Sequence, residues 1–535
     1  MKKILIYLSL VAALFVTGCT KNFDAINTDP NRASAANFDP NLLLPSAELS
    51  YISSITGYSG PILFQSMWTQ TFASSIEPGY YSGGDKYKQG GSFYSYQAST
   101  WNNAYGAAGY FREIQNLTKG NDAKANLRGI SVICELMSIQ AVTDVYGDCP
   151  FSQALLAKSG IQHPVYDKQQ DIYKGMLAKL DSVITTLDPS KAGPTNDVVS
   201  YKGDVAKWKK FGYSLMLRMA MRLTKADAAM AQQYATKAYA GGVFQSNSDN
   251  AFIVFDNSHG FANANSSSLQ VQEDYYEVKW GKVLIDYLKS TNDPRLSVIS
   301  ELLAPGISAN ANHDAVGDSN PADQLGMPNG YNQNGGSVDI TKAPGYPGPS
   351  GSGTDADITG KYSHPKTLLY MDRNAPSFIL TYAQTEFLLA EAAARGWSVG
   401  ASASVHYANG VSAALQTYST YNSLGVISSG VANAYALANP LDISSTDNSL
   451  KQINTQYWVL VGTIFDFDEA WSNWRRSGYP VLTPVNYVGN FTNATIPRRQ
   501  AYPTGEASTN PVNFAAAVQA LTGGDVYSSR VWWDK

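Results

Sequence analysis

Tyr382 to Arg395 reads YAQTEFLLAEAAAR and stops at Gly396, and this stretch decides the fold class. It is rich in alanine, the strongest helix former, whose small side chain lets a neighbouring helix approach closely. Ala401 to Thr417 follows after a short interval and supplies an antiparallel partner. Outward from this pair, the same periodicity recurs. Leu127, Ile130, Cys134, Met137 and Ala141 fall three and four apart, as do Val205, Trp208, Gly212, Leu215, Met219 and Leu223. Each stripe is the apolar face of a helix and needs a partner surface. Asp167 to Leu187 and Asp227 to Ala240 are further helices, with Gly241 and Gly242 stopping the second.

Helical pairs separated by irregular insertions predict an all-α stack of helical hairpins, of which the tetratricopeptide type is one, although no exact repeat is legible. Two stretches do not read as helix. Trp68 to Trp101 is dense in Gly, Ser and Tyr, and Leu303 to Gly360 holds 11 Gly and 6 Pro. Loops this long are usually functional or disordered. The first contains Tyr80, Tyr81, Tyr87, Phe93, Tyr94 and Tyr96, an aromatic content that argues against disorder.

The chain begins MKKILIYLSLVAALFVTGC. Lys2 and Lys3 precede an apolar run of 13 residues, Ile4 to Val16, too short for the roughly 20 that span a bilayer and suited to a signal peptide. Val16-Thr17-Gly18 before Cys19 resembles the lipobox of bacterial lipoproteins, so residues 1–18 are expected to be cleaved and Cys19 lipidated. Acyl chains contribute about 0.8 kcal/mol per buried CH₂, so a multiply acylated cysteine would hold residues 19–535 on a membrane. Beyond Val16 no uninterrupted apolar run is long enough to cross. Loss of Lys2 and Lys3 from 39 basic residues leaves 37 against 43 acidic, a net charge of −6. That balance, without basic runs, argues against nucleic acid as a partner.

Cys134 and Cys149 are the remaining cysteines. A helix from Leu127 to about Val145, rising about 1.5 Å per residue, sets them far beyond the Cα separation of about 7 Å that a disulfide tolerates. Two buried thiols are expected. The five histidines are scattered and no zinc motif is visible.

Ordered along the mature chain are FDAINTDPN (Phe23 to Asn31), TDVYGDCPFSQAL (Thr143 to Leu155), YDKQQDIY (Tyr166 to Tyr173) and WKKFGYSLMLRMAMRL (Trp208 to Leu223). DPRL (Asp293 to Leu296), GYPGPSG (Gly345 to Gly351), QTEFLLAEAAARG (Gln384 to Gly396), INTQYW (Ile453 to Trp458), EAWSNWRRSGYPVL (Glu469 to Leu482) and IPRRQAYPTGE (Ile496 to Glu506) follow, with RVWWDK at the end. In this order they resemble the SusD/RagB family of outer-membrane lipoproteins, specifically its SusD-like branch. The resemblance implies a single helical domain with a tetratricopeptide-like scaffold and irregular segments packed on it. It also implies a SusC-type TonB-dependent transporter as partner, over which the lipoprotein sits as a lid at the outer face of the outer membrane, capturing glycan or in some members peptide. Cys149 departs from an aliphatic position of the YGD-x-P motif, and a thiol is a small apolar substitute there.

Sugar recognition needs flat apolar faces for ring C–H groups and polar groups for hydroxyls, which tyrosine and tryptophan combine. The candidate ligand-binding residues are Trp68 with Tyr80, Tyr81 and Tyr87, and Tyr275, Tyr276 and Trp280 with Tyr331. The plainer alternative is that such rings cover helix ends or fill loop packing. Trp471, Trp474, Arg475 and Arg476 read instead as a packed anchor, and Trp532 and Trp533 as burying the chain end.

A glycan-processing enzyme is the alternative for the carboxylates, since glycoside hydrolysis needs two acids roughly 5 to 9.5 Å apart across a cleft. Asp466, Asp468 and Glu469 are clustered, as are Glu273 and Asp274, but these read as surface acids. Asp355 and Asp357 have the spacing of part of a calcium loop without its remaining ligands. No cofactor motif, Walker loop, HExxH or G-x-S-x-G elbow is present. An adhesion or assembly scaffold is the third reading, because helical stacks commonly bind proteins.

Overall fold

The computed structural model describes residues 38–89, 96–303, 316–351 and 353–535. Asn41–Lys535 forms one unit and Met1–Pro40 another. The leader, Cys19 and the Phe23 to Asn31 motif lie outside the described residues, as do Phe93 and Tyr94.

The long helices are α1 (Leu44–Ile55), α2 (Ser99–Leu117), α3 (Ala125–Tyr146), α4 (Gln169–Thr186), α5 (Val205–Arg222) and α6 (Ala228–Gly241). In the C-terminal half they are α7 (Tyr382–Ala394), α8 (Ala403–Gln416), α9 (Ser429–Ala438), α10 (Thr446–Thr463) and α11 (Phe467–Ser477). Sequential pairs α2 with α3, α5 with α6, α7 with α8, and α10 with α11 pack as hairpins, and α1 lies on α2. The helices predicted from periodicity are present to within a few residues. The paired strands among the described residues make three two-stranded ribbons, one of which joins Phe72–Ala73 to Lys279–Trp280 and so ties the first irregular region to the segment around Trp280.

The deciding stretch starts where it does because of a capping box. Gln384 N–H donates to Thr381 Oγ1 at 3.2 Å, while Thr381 N–H donates to Gln384 Oε1 at 2.7 Å. Close approach of α8 is secured by Gly410, where an added Cβ would stand 2.8 Å from the Phe387 ring. Helix α3 is long and apolar enough to pass for a membrane span, yet 89% of its apolar window is buried inside the body, which makes it a core helix. Cys134 and Cys149 are buried free thiols, as the helix geometry requires.

Ionic pairs are built into the helix contacts. Arg222 of α5 donates to Glu469 of α11 (2.6 Å to Oε2) and to Asp144 of α3 (3.3 Å). Asp466, Asp468 and Glu469 are therefore not surface acids; all three are buried, because the start of α11 packs against α10 and the short helix Gln65–Trp68 and faces Arg222 of α5. The C-terminal anchor is packed as its residues suggest: the Arg475 guanidinium lies 3.5 Å over the Trp471 ring, and Trp533 is fully buried.

Candidate ligand-binding surface

A single π-type turn, Tyr58–Ile62, follows α1. Gly57 leads into it with φ of 90°, a conformation glycine adopts freely, and its N–H donates to Asn265 Oδ1 at 2.7 Å. This junction presents Tyr58 beside two other segments. The Tyr58 ring meets Tyr80 at 5.9 Å, Tyr96 at 5.5 Å and Tyr81 at 6.2 Å between centroids, each edge to face. Tyr80 is 60% exposed and Tyr58 and Tyr96 are half-buried, so three rings from separate segments within residues 58–96 form one aromatic patch reachable from solvent. Tyr81 is buried beneath them and its hydroxyl donates to Asp274.

Asp274 and Glu277 lie one turn apart on the short helix Gln272–Glu277. Burial raises Asp274 to about 6 despite the Tyr81 hydroxyl, and burial with the neighbouring Asp274 charge raises Glu277 to about 7. Groups at i and i+3 sit side by side on one helix face, so this pair does not oppose itself across a scissile bond as a glycosidase requires. Because the folded state holds these protons more tightly than the unfolded chain, the stability they contribute is full below about pH 4 and lost as pH rises through about 6 to 7. Thermal melts from acid to neutral pH should show this decline. For Asp274 it is on the order of 3 kcal/mol, and Asp274→Asn should flatten it.

The second irregular region braces the first. Asn329 Nδ2 donates to the Phe72 carbonyl (2.8 Å) and to Asp85 Oδ1 (2.6 Å), Gln333 Nε2 to Ser75 Oγ (2.8 Å), and Asn334 Nδ2 to the Glu77 carbonyl (2.6 Å). The two loops read separately from sequence are thus one assembly.

Of the eight aromatics singled out from sequence, five are buried, which removes them from a solvent-facing platform. Trp68 packs against Phe64 (5.5 Å) and Trp471 (5.0 Å), and Trp280 against Phe72 (4.9 Å). Tyr275 lies 4.4 Å from the His364 ring, while Tyr81 and Tyr87 are also in the core. The physical reason is that loops draped on helices must seal their own apolar undersides, and large flat rings do this best. Tyr80 is exposed; Tyr276 and Tyr331 are half-buried, the latter against a small cluster around Met327 and Ile340. Tyr58 went unread because it stands alone in sequence, and Tyr96 because it was one aromatic among several.

At the calcium candidate, Lys361 Nζ stands 3.0 Å from Asp355 Oδ1 and donates to the Asp357 carbonyl, and Tyr346 Oη donates to Asp355 Oδ2 at 2.5 Å. The chain supplies its own cation there. Among the described residues no group of three or more His, Cys, Asp or Glu gathers as a metal site.

The sequence model of the SusD-like family, described as starch-binding and associating with the outer membrane, matches residues 33–503. The chain belongs to this family. Among solved structures it is similar to a chitin-binding protein, with 29% identity, a TM-score of 0.75, and 93% of this chain and 100% of that one covered. A Bacteroidetes SusD-like protein shares the fold at 23% identity and TM-score 0.77, over 93% of this chain and 100% of that one. So does a chitin-binding SusD homologue from Flavobacterium johnsoniae, at 22% identity and TM-score 0.70, over 93% of this chain and 98% of that one. A search of the curated proteins finds no match. The family description is one of binding at the outer membrane rather than of catalysis.

Proposed function

We propose that this chain is a lipid-anchored outer-membrane protein that holds a neutral oligosaccharide on the Tyr58, Tyr80 and Tyr96 surface and delivers it to a SusC-type TonB-dependent transporter. The observation that carries the binding site is the exposed three-tyrosine patch. Its rings offer apolar faces and edges to sugar C–H groups, and their hydroxyls offer hydrogen bonds. The adjacent acids disfavour an anionic ligand and suit an uncharged one. The full-length relative described as chitin-binding makes chito-oligosaccharides the first ligands to try, with malto-oligosaccharides second because of the family description.

The test is calorimetry with both series on the purified mature body. Saturable binding without sugar release is expected. Tyr58→Ala and Tyr80→Ala should each weaken it on the order of tenfold, about 1.4 kcal/mol. Release of reducing ends would point to the enzyme reading instead.

Anchoring and partnership rest on Cys19 and the family resemblance. Cys19→Ala should move the folded protein from the membrane to the soluble fraction. Wild-type protein solubilised in detergent should bring down a large barrel protein; repeated failure to do so would count against delivery to a transporter.

A further inference from the structure

A second cleft, of about 310 Å³, lies where the first turns of α2 meet the 150–164 loop and the segment 506–510. Its size falls at the lower end of the range that small-ligand sites occupy. Half-buried Tyr105 forms its aromatic wall, its Oη fixed by donating to the Pro150 carbonyl at 2.6 Å, and buried Trp101 packs behind it with centroids 5.0 Å apart, lining the floor. The loop opposite is rigid: Asp167 Oδ2 accepts the N–H groups of Phe151 and Ser152, both at 2.8 Å.

Leu155, also lining the cleft, has φ of 63°. A non-glycine residue in the left-handed region is uncommon and persists only where its surroundings over-determine it, a pattern that clusters at ligand sites. The strained backbone keeps the leucine side chain as an apolar wall above α2, where a Cβ added at Gly109 would lie 3.9 Å from Leu155 Cδ2.

The rim is polar and carries a single carboxylate. Asn102 and Gln162 are exposed, and neither side-chain amide has a hydrogen-bond partner among the described residues. The one carboxylate, Glu506, already accepts from Tyr166 Oη at 2.5 Å. No lysine or arginine lines the cleft, so nothing there would hold a phosphate or carboxylate. An aromatic and aliphatic wall with unengaged amides at its edge matches an uncharged pyranose, its C–H face on Tyr105 and Leu155 and its hydroxyl or acetamido groups on the amides.

We infer that this cleft is a second saccharide subsite, sharing no residue with the three-tyrosine patch and taking one unit of a neutral oligosaccharide. The inference rests on the glycan-binding reading, and the experiment separates the two. Chito-oligosaccharides are titrated into the mature chain carrying ¹⁵N-labelled tryptophan, with the Trp101 indole resonance assigned by Trp101→Phe. Two binding events are expected, one of which shifts the Trp101 signal. That event should survive Tyr58→Ala and be lost, at least tenfold, in Asn102→Ala/Gln162→Ala. Leu155→Gly relieves the left-handed backbone, so it should keep or raise the melting temperature while weakening the same event. A wild-type protein with one event, abolished by Tyr58→Ala and silent at Trp101, overturns the second subsite and leaves the first reading intact. No binding of any oligosaccharide overturns both.

Discussion

Glu391→Ala is expected to lower the unfolding free energy by about 3–5 kcal/mol, because it strands a buried charge rather than removing a pair. Glu391 sits on α7 and is 1% exposed. Its carboxylate accepts from Arg476 of α11 at 2.6 and 2.8 Å, from Arg395 at 2.8 Å, and from Asn454 of α10 at 3.0 Å. Burial alone would raise its pKa, yet the Arg476 and Arg395 guanidinium groups hold it at about 2. The sign is that of a depressed carboxylate: the stabilisation is present above the ordinary value near 4.3 and is lost as pH falls through about 2. Urea titration at neutral pH should show the loss. Arg476→Met together with Glu391→Met should recover much of it, since a dry apolar pair avoids the desolvation that a lone Arg476 suffers.

Trp68→Ala should cost a similar amount, about 3–5 kcal/mol, and should act on folding rather than on ligand binding. The Trp68 ring is fully buried, tilted against Trp471, edge-on to Tyr527 and stacked on Phe64, so its removal opens a cavity that joins the irregular loop to α11. Tyr80→Ala is the matched control. Its ring is 60% exposed, and surface truncations usually change stability by less than about 0.5 kcal/mol. Thermal melting and calorimetry on the two variants should therefore give opposite patterns: Trp68→Ala melts early, and Tyr80→Ala melts normally but binds weakly. Normal stability with lost binding in Trp68→Ala would return that residue to the ligand surface.

What the chain states locally was legible, and what it states through distant contacts was not. The Tyr382–Ala394 helix is written in its own residues: a Thr-x-x-Gln cap, alanines facing a partner and a closing glycine. Periodicity located α3 and α5 for the same reason. An aromatic in a Gly-rich stretch carries no such information: Trp68 ends the short helix Gln65–Trp68 with its ring buried and Tyr80 stands exposed in a turn, and only tertiary contacts decide which side each ring takes. That side is set by Trp471, far along the chain, and by the turn at Gly57. Asp466, Asp468 and Glu469 looked like surface acids because Arg222, which neutralises Glu469, is 247 residues away. The patch itself needed Tyr58, Tyr80 and Tyr96 to converge from three segments, which no single window of sequence displays.

The central claim is that a neutral oligosaccharide is held on that patch. Isothermal titration of chito-oligosaccharides into the wild-type body and into Tyr80→Ala, whose ring is exposed, tests it most directly. Saturable wild-type binding that falls about tenfold in a variant with an unchanged melting temperature is the predicted result; equal affinity in the two proteins would contradict it.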